Sequence, residues 1–161
     1  MQHGDLPALM EIAAAAHPDF PEDEAVFAER LRLFPAGCRT LVGARGRLYG
    51  YVLSHPWQEA LPVPLDSLLA TLPARPETLY LHDLALLPGA RGSGAAGEVV
   101  RELLGLARGL GLHSVSLVAV SGSAGFWGRQ GFEARSTAAR ELRCYGDDAV
   151  FMVHAFAGAE T

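Results

Sequence analysis

The segment Arg91-Gly92-Ser93-Gly94-Ala95-Ala96 stands between an apolar run and an amphipathic, proline-free one, and its residue types suit the holding of an anion. Gly92 and Gly94 admit positive φ and carry no Cβ, so successive backbone N–H groups can turn into one concavity. The first turn of a following helix adds unpaired N–H donors and the positive end of its dipole. A phosphate or pyrophosphate fits such a place. Just ahead of the turn stand two titratable residues, His82 and Asp83. Strand alternation sends them to opposite faces, with His82 sharing the parity of Leu84 and Leu86, so only one of the two is expected to meet a site directly.

The elements that must position these residues follow from hydrophobic spacing. Leu79 to Leu87 reads as a strand, and about Ala95 to Leu110 as a helix whose Val99, Val100, Leu103, Leu104, Ala107 and Leu110 share one face. Ahead of them, Asp5 to Ala16 and about Glu22 to Leu33 read as helices, the first with Asp5 as N-cap and Pro7 in its first turn. Arg39–Ala44 and Leu48–Ser54 read as a hairpin across Arg45-Gly46-Arg47. His55-Pro56-Trp57 then opens a proline-rich stretch to Thr78, in which only Leu65 to Leu72 could form a turn or two of helix. A loop of that length is expected to be a functional flap or an irregular insertion. Behind the central helix come a strand at Ser114–Val120, a short helix at Ala124–Arg129 capped by Ser121-Gly122-Ser123, and two strands. Those are Glu133–Tyr145 with breaks and Ala149–Phe156, split at Gly146-Asp147-Asp148.

Composition bounds the function. The 161 residues suit one α/β domain spanning 1–161, and half of them are hydrophobic. No apolar run approaches the roughly 20 residues of a membrane span. MQHGDLPALM lacks the basic region and apolar core of a signal peptide, so a cytoplasmic location is expected, with no membrane partner. A net charge of -5 disfavours nucleic acid. All thirteen basic residues are arginine, which removes Schiff-base and P-loop lysines. Cys38 and Cys144 lie far apart without CxxC spacing and read as buried or half-buried free thiols. The histidines show no HxH or HExxH spacing, so no metal is expected.

Gly92-Ser93-Gly94-Ala95-Ala96-Gly97 also satisfies the dinucleotide fingerprint GxGxxG. That fingerprint needs its first glycine tight against the strand end and an acidic residue at the tip of the next strand. Here Pro88-Gly89-Ala90-Arg91 intervenes, and the next strand ends at Val120-Ser121-Gly122. The pattern that fits begins one residue earlier, as R-x-x-G-x-A. In this it resembles the GNAT superfamily of acyl-CoA-dependent N-acetyltransferases, whose central motif is Q/R-x-x-G-x-G/A. Leu84-Ala85-Leu86 resembles that family's cofactor-facing strand end, and Phe126-Trp127-Gly128-Arg129-Gln130-Gly131-Phe132 resembles its F-Y-x-x-x-G-F segment. The likeness covers nearly the whole chain in order.

The resemblance implies a GNAT fold: a mixed sheet of about six to seven strands with about four helices. It also implies acetyl-CoA as cofactor and acetyl transfer to a primary amine of a small molecule or protein, with the chain able to pair as a homodimer. Cofactor contacts fall by resemblance to Leu84, Ala85, Leu86, Arg91, Gly92, Ser93, Gly94, Ala95, Ala96, Ser123 and Phe126, with the Leu86 N–H aimed at the thioester oxygen. His82 and Asp83 are the candidate bases, and which of them faces the site stays open. His55, Trp57 and Trp127 are expected to line the acceptor pocket, with Tyr51 and Tyr145 as further candidates. Trp127 occupies the position of the family's general-acid tyrosine, and an indole N–H has no useful acidity. That departure keeps a second reading in view, an acyl-CoA-binding module of the same fold with little or no turnover.

Overall fold

Leucine-rich runs with interspersed tyrosines, buried on both faces over much of their length, build the centre of the sheet, β2 (Leu48–Trp57) and β3 (Thr78–Leu86), which pair antiparallel. β1 (Cys38–Val42) lies outside β2. On the other side β3 runs parallel to β4 (Ser114–Ala119), as a strand–helix–strand crossover requires. β6 (Val150–Ala155) and the two-residue β5 (Glu133–Ala134) complete a six-stranded sheet in the order β1-β2-β3-β4-β6-β5. This is the mixed α/β sheet of the GNAT fold. The computed structural model describes residues 1–138 and 140–158. Among them no helix is long and apolar enough to cross a membrane.

Each face of the sheet is covered. α3 (Ala95–Gly109) lays Val100, Leu103, Leu104 and Ala107 onto Leu79, Leu81, Val115 and Leu117, joined by Trp127 of α4 (Ala124–Arg129). On the opposite face, α1 (Leu6–Ala16) and α2 (Glu24–Leu33) bury Leu9, Ile12, Phe27 and Leu31 against Tyr51, Leu53 and Ala85.

Two irregularities shape the middle of the sheet. β3 and β4 pair only through Thr78, Leu79 and Tyr80, opposite Ser114, Val115 and Ser116, and beyond that point they separate. Two residues further on, the β2–β3 register slips: Leu53 faces Asp83 and Ser54 faces Leu81, so His82 is the extra residue of a β-bulge. A bulge bends its strand and breaks the alternation of side chains.

Local readings differ from the structure at several places, each for a tertiary reason. β2 runs on through His55-Pro56-Trp57 because β1 stops opposite Leu53, leaving Pro56 on an edge where its missing N–H costs nothing. Leu65 to Leu72 forms no helix; the buried Glu29 carboxylate takes the Leu69 and Ala70 N–H groups at 2.7 and 3.0 Å instead. The strand expected over 133–145 shrinks to β5 and is followed by a 3-10 turn at Arg140–Tyr145, while Ala139 and residues 159–161 lie outside the described residues. α2 begins at Glu24, its Ala25 N–H capped by Asp23, which releases Glu22 to the sheet. Asp5 does not cap α1; its carboxylate accepts from the Gln2 N–H.

Candidate active site

The separation of β3 from β4 opens a cleft of about 430 Å³. Leu81 to Leu86 form one wall, Leu117, Val118, Val120 and Ser121 with Ser123, Phe126 and Trp127 the other, and Arg91, Gly92 and Ala96 one end. Past Tyr80 the edge of β3 has no strand partner on this side among the described residues, and Leu84 and Leu86 remain half-buried with main chain facing the gap. A strand edge of this kind can accept an extended amide-bearing ligand.

Simple alternation would separate His82 from Asp83. The bulge puts both in the cleft wall, on the side of α1 and α2, and gives each its own partners. His82 Nε2 stands 2.9 and 3.1 Å from the two oxygens of Glu22. The His82 side chain is 1 % exposed and that of Glu22 6 %. A carboxylate only accepts, so Nε2 carries the hydrogen and Nδ1 the lone pair; Nδ1 is buried and has no hydrogen-bond partner among the described residues. Glu22 Oε2 also accepts from the Asp66 N–H at 2.9 Å, tying the proline-rich stretch to this pair.

Asp83 is held from both sides. Tyr51 Oη donates to Oδ2 at 2.5 Å, and His17 Nε2 lies 3.0 Å from Oδ1 and 3.2 Å from the Leu84 carbonyl. Both His17 contacts are acceptors, which fixes its hydrogen on Nε2. The hydrogen bond to Asp83 is the largest influence on His17 and lifts its pKa above the ordinary value, against the cost of burial. Burial, with the Asp83 charge adding, pushes the Tyr51 hydroxyl far up, so Tyr51 stays a donor. Glu22 and His17 carry no sequence signal of their own. One precedes a helix, the other ends one, and only packing brings them to β3.

At the other end, Gly92 and Gly94 both sit at positive φ, +77° and +86°, the backbone that this turn required of them. The N–H groups of Arg91 and Ser93 bond back to the Pro88 and Ala90 carbonyls, while those of Gly92, Gly94, Ala96 and Gly97 have no acceptor among the described residues, the last two with the helix dipole behind them. Ser93 faces elsewhere: its hydroxyl donates to the Ala90 carbonyl at 2.6 Å and accepts from the Ala95 N–H at 3.3 Å. Arg91, Gly92 and Ala96 therefore line the cleft, while Ser93, Gly94 and Ala95 shape the turn. Ser123 makes no side-chain cap to α4, and with Ser121 it lines the cleft wall.

The residues expected around the acceptor divide. Trp127 lines the cleft while packing 4.9 Å from Phe126 and 5.4 Å from Phe132, ring to ring. Tyr145 lines it as well. His55 and Trp57 do not, because the longer β2 turns them inward. His55 is fully buried, its ring 5.6 Å from Tyr80 and 5.3 Å from Trp57, and its Nδ1 donates to the Pro56 carbonyl. Burial pushes its pKa down to about 3. Cys38 is a buried free thiol and Cys144 an exposed one.

A mixed sheet splayed between its parallel strands, with a glycine turn and a helix N-terminus at the mouth, is an arrangement of GNAT type. The chain belongs to the acetyltransferase (GNAT) family, whose model matches residues 6–132. No curated protein matches the sequence. Among solved structures, the GNAT-like decarboxylase GphF in complex with isobutyryl-CoA superposes with a TM-score of 0.81 at 18% identity, over 96% of both chains. Ard1 from Thermoplasma volcanium gives 0.73 at 16% identity, over 96% of this chain and 93% of that one. The ribosomal-protein-S18-alanine N-acetyltransferase from Escherichia coli gives 0.64 at 18%, over 100% and 95%. At these identities the likeness is one of fold.

Proposed function

We propose that the protein transfers an acetyl group from acetyl-CoA to a primary amine by direct attack. The observation that carries this reading is the β3–β4 cleft, which has an anion-binding turn at one end and the Glu22–His82 pair at the other. Its residues fit the cofactor. The N–H groups of Gly92, Gly94, Ala96 and Gly97, which have no acceptor of their own among the described residues, suit a pyrophosphate, Arg91 adds positive charge, and the edge of β3 at Leu84 to Leu86, which has no strand partner on this side among the described residues, suits the amides of a pantetheine arm.

When bound, acetyl-CoA supplies a thioester whose C–S bond breaks as the amide C–N bond forms, the sulfur leaving as thiolate. The chain's own residues do the rest. The Leu86 N–H offers a donor where negative charge develops on the carbonyl oxygen. The Glu22–His82 pair receives the proton that the amine gives up, with Glu22 fixing the imidazole tautomer so that Nδ1 can take it. Asp83 already accepts from Tyr51 and His17, so its part is to hold those groups in place. Trp127 closes the wall and supplies no acid, so protonation of the departing thiolate is left to solvent.

The fold is shared with a GNAT-like decarboxylase, so the assay must separate reactions as well as substrates. Calorimetric titration with CoA and acetyl-CoA tests the cleft, and thiol release from acetyl-CoA across a panel of amines tests transfer. Binding without thiol release on any amine would favour a module without turnover, the reading that Trp127 supports. Loss of CO2 from malonyl-CoA without thiol release would replace transfer by decarboxylation. Absence of CoA binding at millimolar concentration would remove all three.

A further inference from the structure

The end of the cleft away from Arg91 is walled by Phe20, Leu65 and Tyr145, with Glu22, His82 and Asp83 as its polar groups. Its charge is one-sided. Arg91 is the only arginine or lysine among the described residues lining the cleft, and it stands at the opposite end. The other groups there able to carry positive charge are engaged: His17 by Asp83 and the Leu84 carbonyl, His82 by Glu22, and the buried Arg30 behind them by Glu29 and the Ser67 carbonyl. An ammonium entering this end meets the Glu22 carboxylate and the ring of His82, whose buried Nδ1 has no hydrogen-bond partner among the described residues. A carboxylate entering it meets two carboxylates and no free cation.

The same end is roofed. Tyr145 Oη donates to the Val63 carbonyl at 2.7 Å, the Leu65 N–H donates to Cys144 Sγ at 3.2 Å, and Thr137 Oγ1 donates to the Ala60 carbonyl at 3.3 Å. These bonds join the proline-rich stretch to the segment before β6. The stretch is pinned to α2 in turn, through Glu29 on Leu69 and Ala70 and through Asp23 on Asp66. Two segments that could have flanked an open groove are thus tied across it, and the main chain that a peptide would pair with is already engaged.

We infer, on the footing of the transfer reading, that the acceptor is a small primary amine with an apolar or aromatic substituent and no carboxylate, rather than an amino acid or a peptide N-terminus. Aromatic and aliphatic walls seat the substituent, and Glu22 with His82 receives the ammonium and strips its proton.

A matched pair of ligands isolates the charge: 2-phenylethylamine and phenylalanine differ only by the α-carboxylate, and the tripeptide Phe-Gly-Gly carries the same side chain behind a peptide bond. Each is titrated by calorimetry into the CoA-loaded protein and offered with acetyl-CoA in the thiol-release assay. The amine is expected to bind at least about tenfold more tightly than the other two, with kcat/KM in the same order. Glu22→Gln is expected to weaken amine binding by a similar factor while CoA affinity stays unchanged. Equal or better binding of phenylalanine or the peptide overturns the inference, as does amine binding indifferent to Glu22→Gln. If that variant does not fold, the three ligands on the natural chain decide alone. Amine binding in the expected order without thiol release would retire acetyl transfer and keep the acceptor site, whereas turnover in the reverse order would do the opposite.

Discussion

His17 Nε2 lies 3.0 Å from Asp83 Oδ1, joining the end of α1 to the bulged part of β3. The contact holds the first helix over the cleft and sets the proton on His17. Replacing Asp83 by Asn removes the largest cause of the raised His17 pKa, so the midpoint of the His17 imidazole in an NMR titration is expected to fall. The stability linked to this pair has a fixed sign. A histidine whose folded value lies above 6.5 contributes fully below that pH and loses its contribution as the pH rises through the folded value. The margin of the natural chain over His17→Asn, measured by urea midpoints, should therefore be largest in acid and shrink in alkali.

Glu22 and His82 make a different prediction, because the transfer reading puts them on the reaction rather than on the frame. His82→Ala should lower kcat by about 10²–10⁴ if the imidazole takes the amine proton. CoA affinity by calorimetry should not move, since the turn and α3 are untouched. A His82→Ala variant with near-normal kcat would return the proton transfer to solvent or to His17.

The opposite end of the cleft is tested by Arg91→Ala. Arg91 is exposed, so its loss should leave the melting temperature unchanged. A charge-assisted contact of about 1.5–3 kcal/mol would be lost on CoA binding, weakening Kd by about 10- to 150-fold. Gly94→Ala should behave in the reverse way: a Cβ there meets no atom within 4 Å, but φ of +86° strains the backbone and costs about 1–2 kcal/mol of stability.

His55 links burial to acid sensitivity. The unfolded chain binds a proton at this residue below about pH 6.5, and the folded chain does so only near pH 3. Stability supplied by the neutral, buried ring is full above the unfolded value and is lost as pH falls through the interval, by about 1.4 kcal/mol per pH unit. His55→Leu should flatten the dependence of unfolding free energy on pH between 4 and 6, read by denaturant melts. An unchanged slope would assign the acid sensitivity to other groups.

Much of the molecule was legible in the order of its residues. The turn Arg91 to Ala96, the amphipathic face of α3 and the aromatic-rich segment Phe126 to Phe132 are local patterns, and local backbone preference is enough to write them. They carry the likeness to the family and mark the end of the cleft proposed to hold the cofactor's pyrophosphate. The other end, proposed for the acceptor, was written by the tertiary structure. His82 and Asp83 share a wall because one bulge cancels strand alternation, a register event that depends on how β2 meets β3. Glu22 and His17 become their partners only when the ends of two helices pack on that strand, and His55 leaves the expected pocket because β2 outruns β1. Periodicity reports which face a residue takes within its own element; a contact between distant elements is fixed by register and packing, which no single segment encodes.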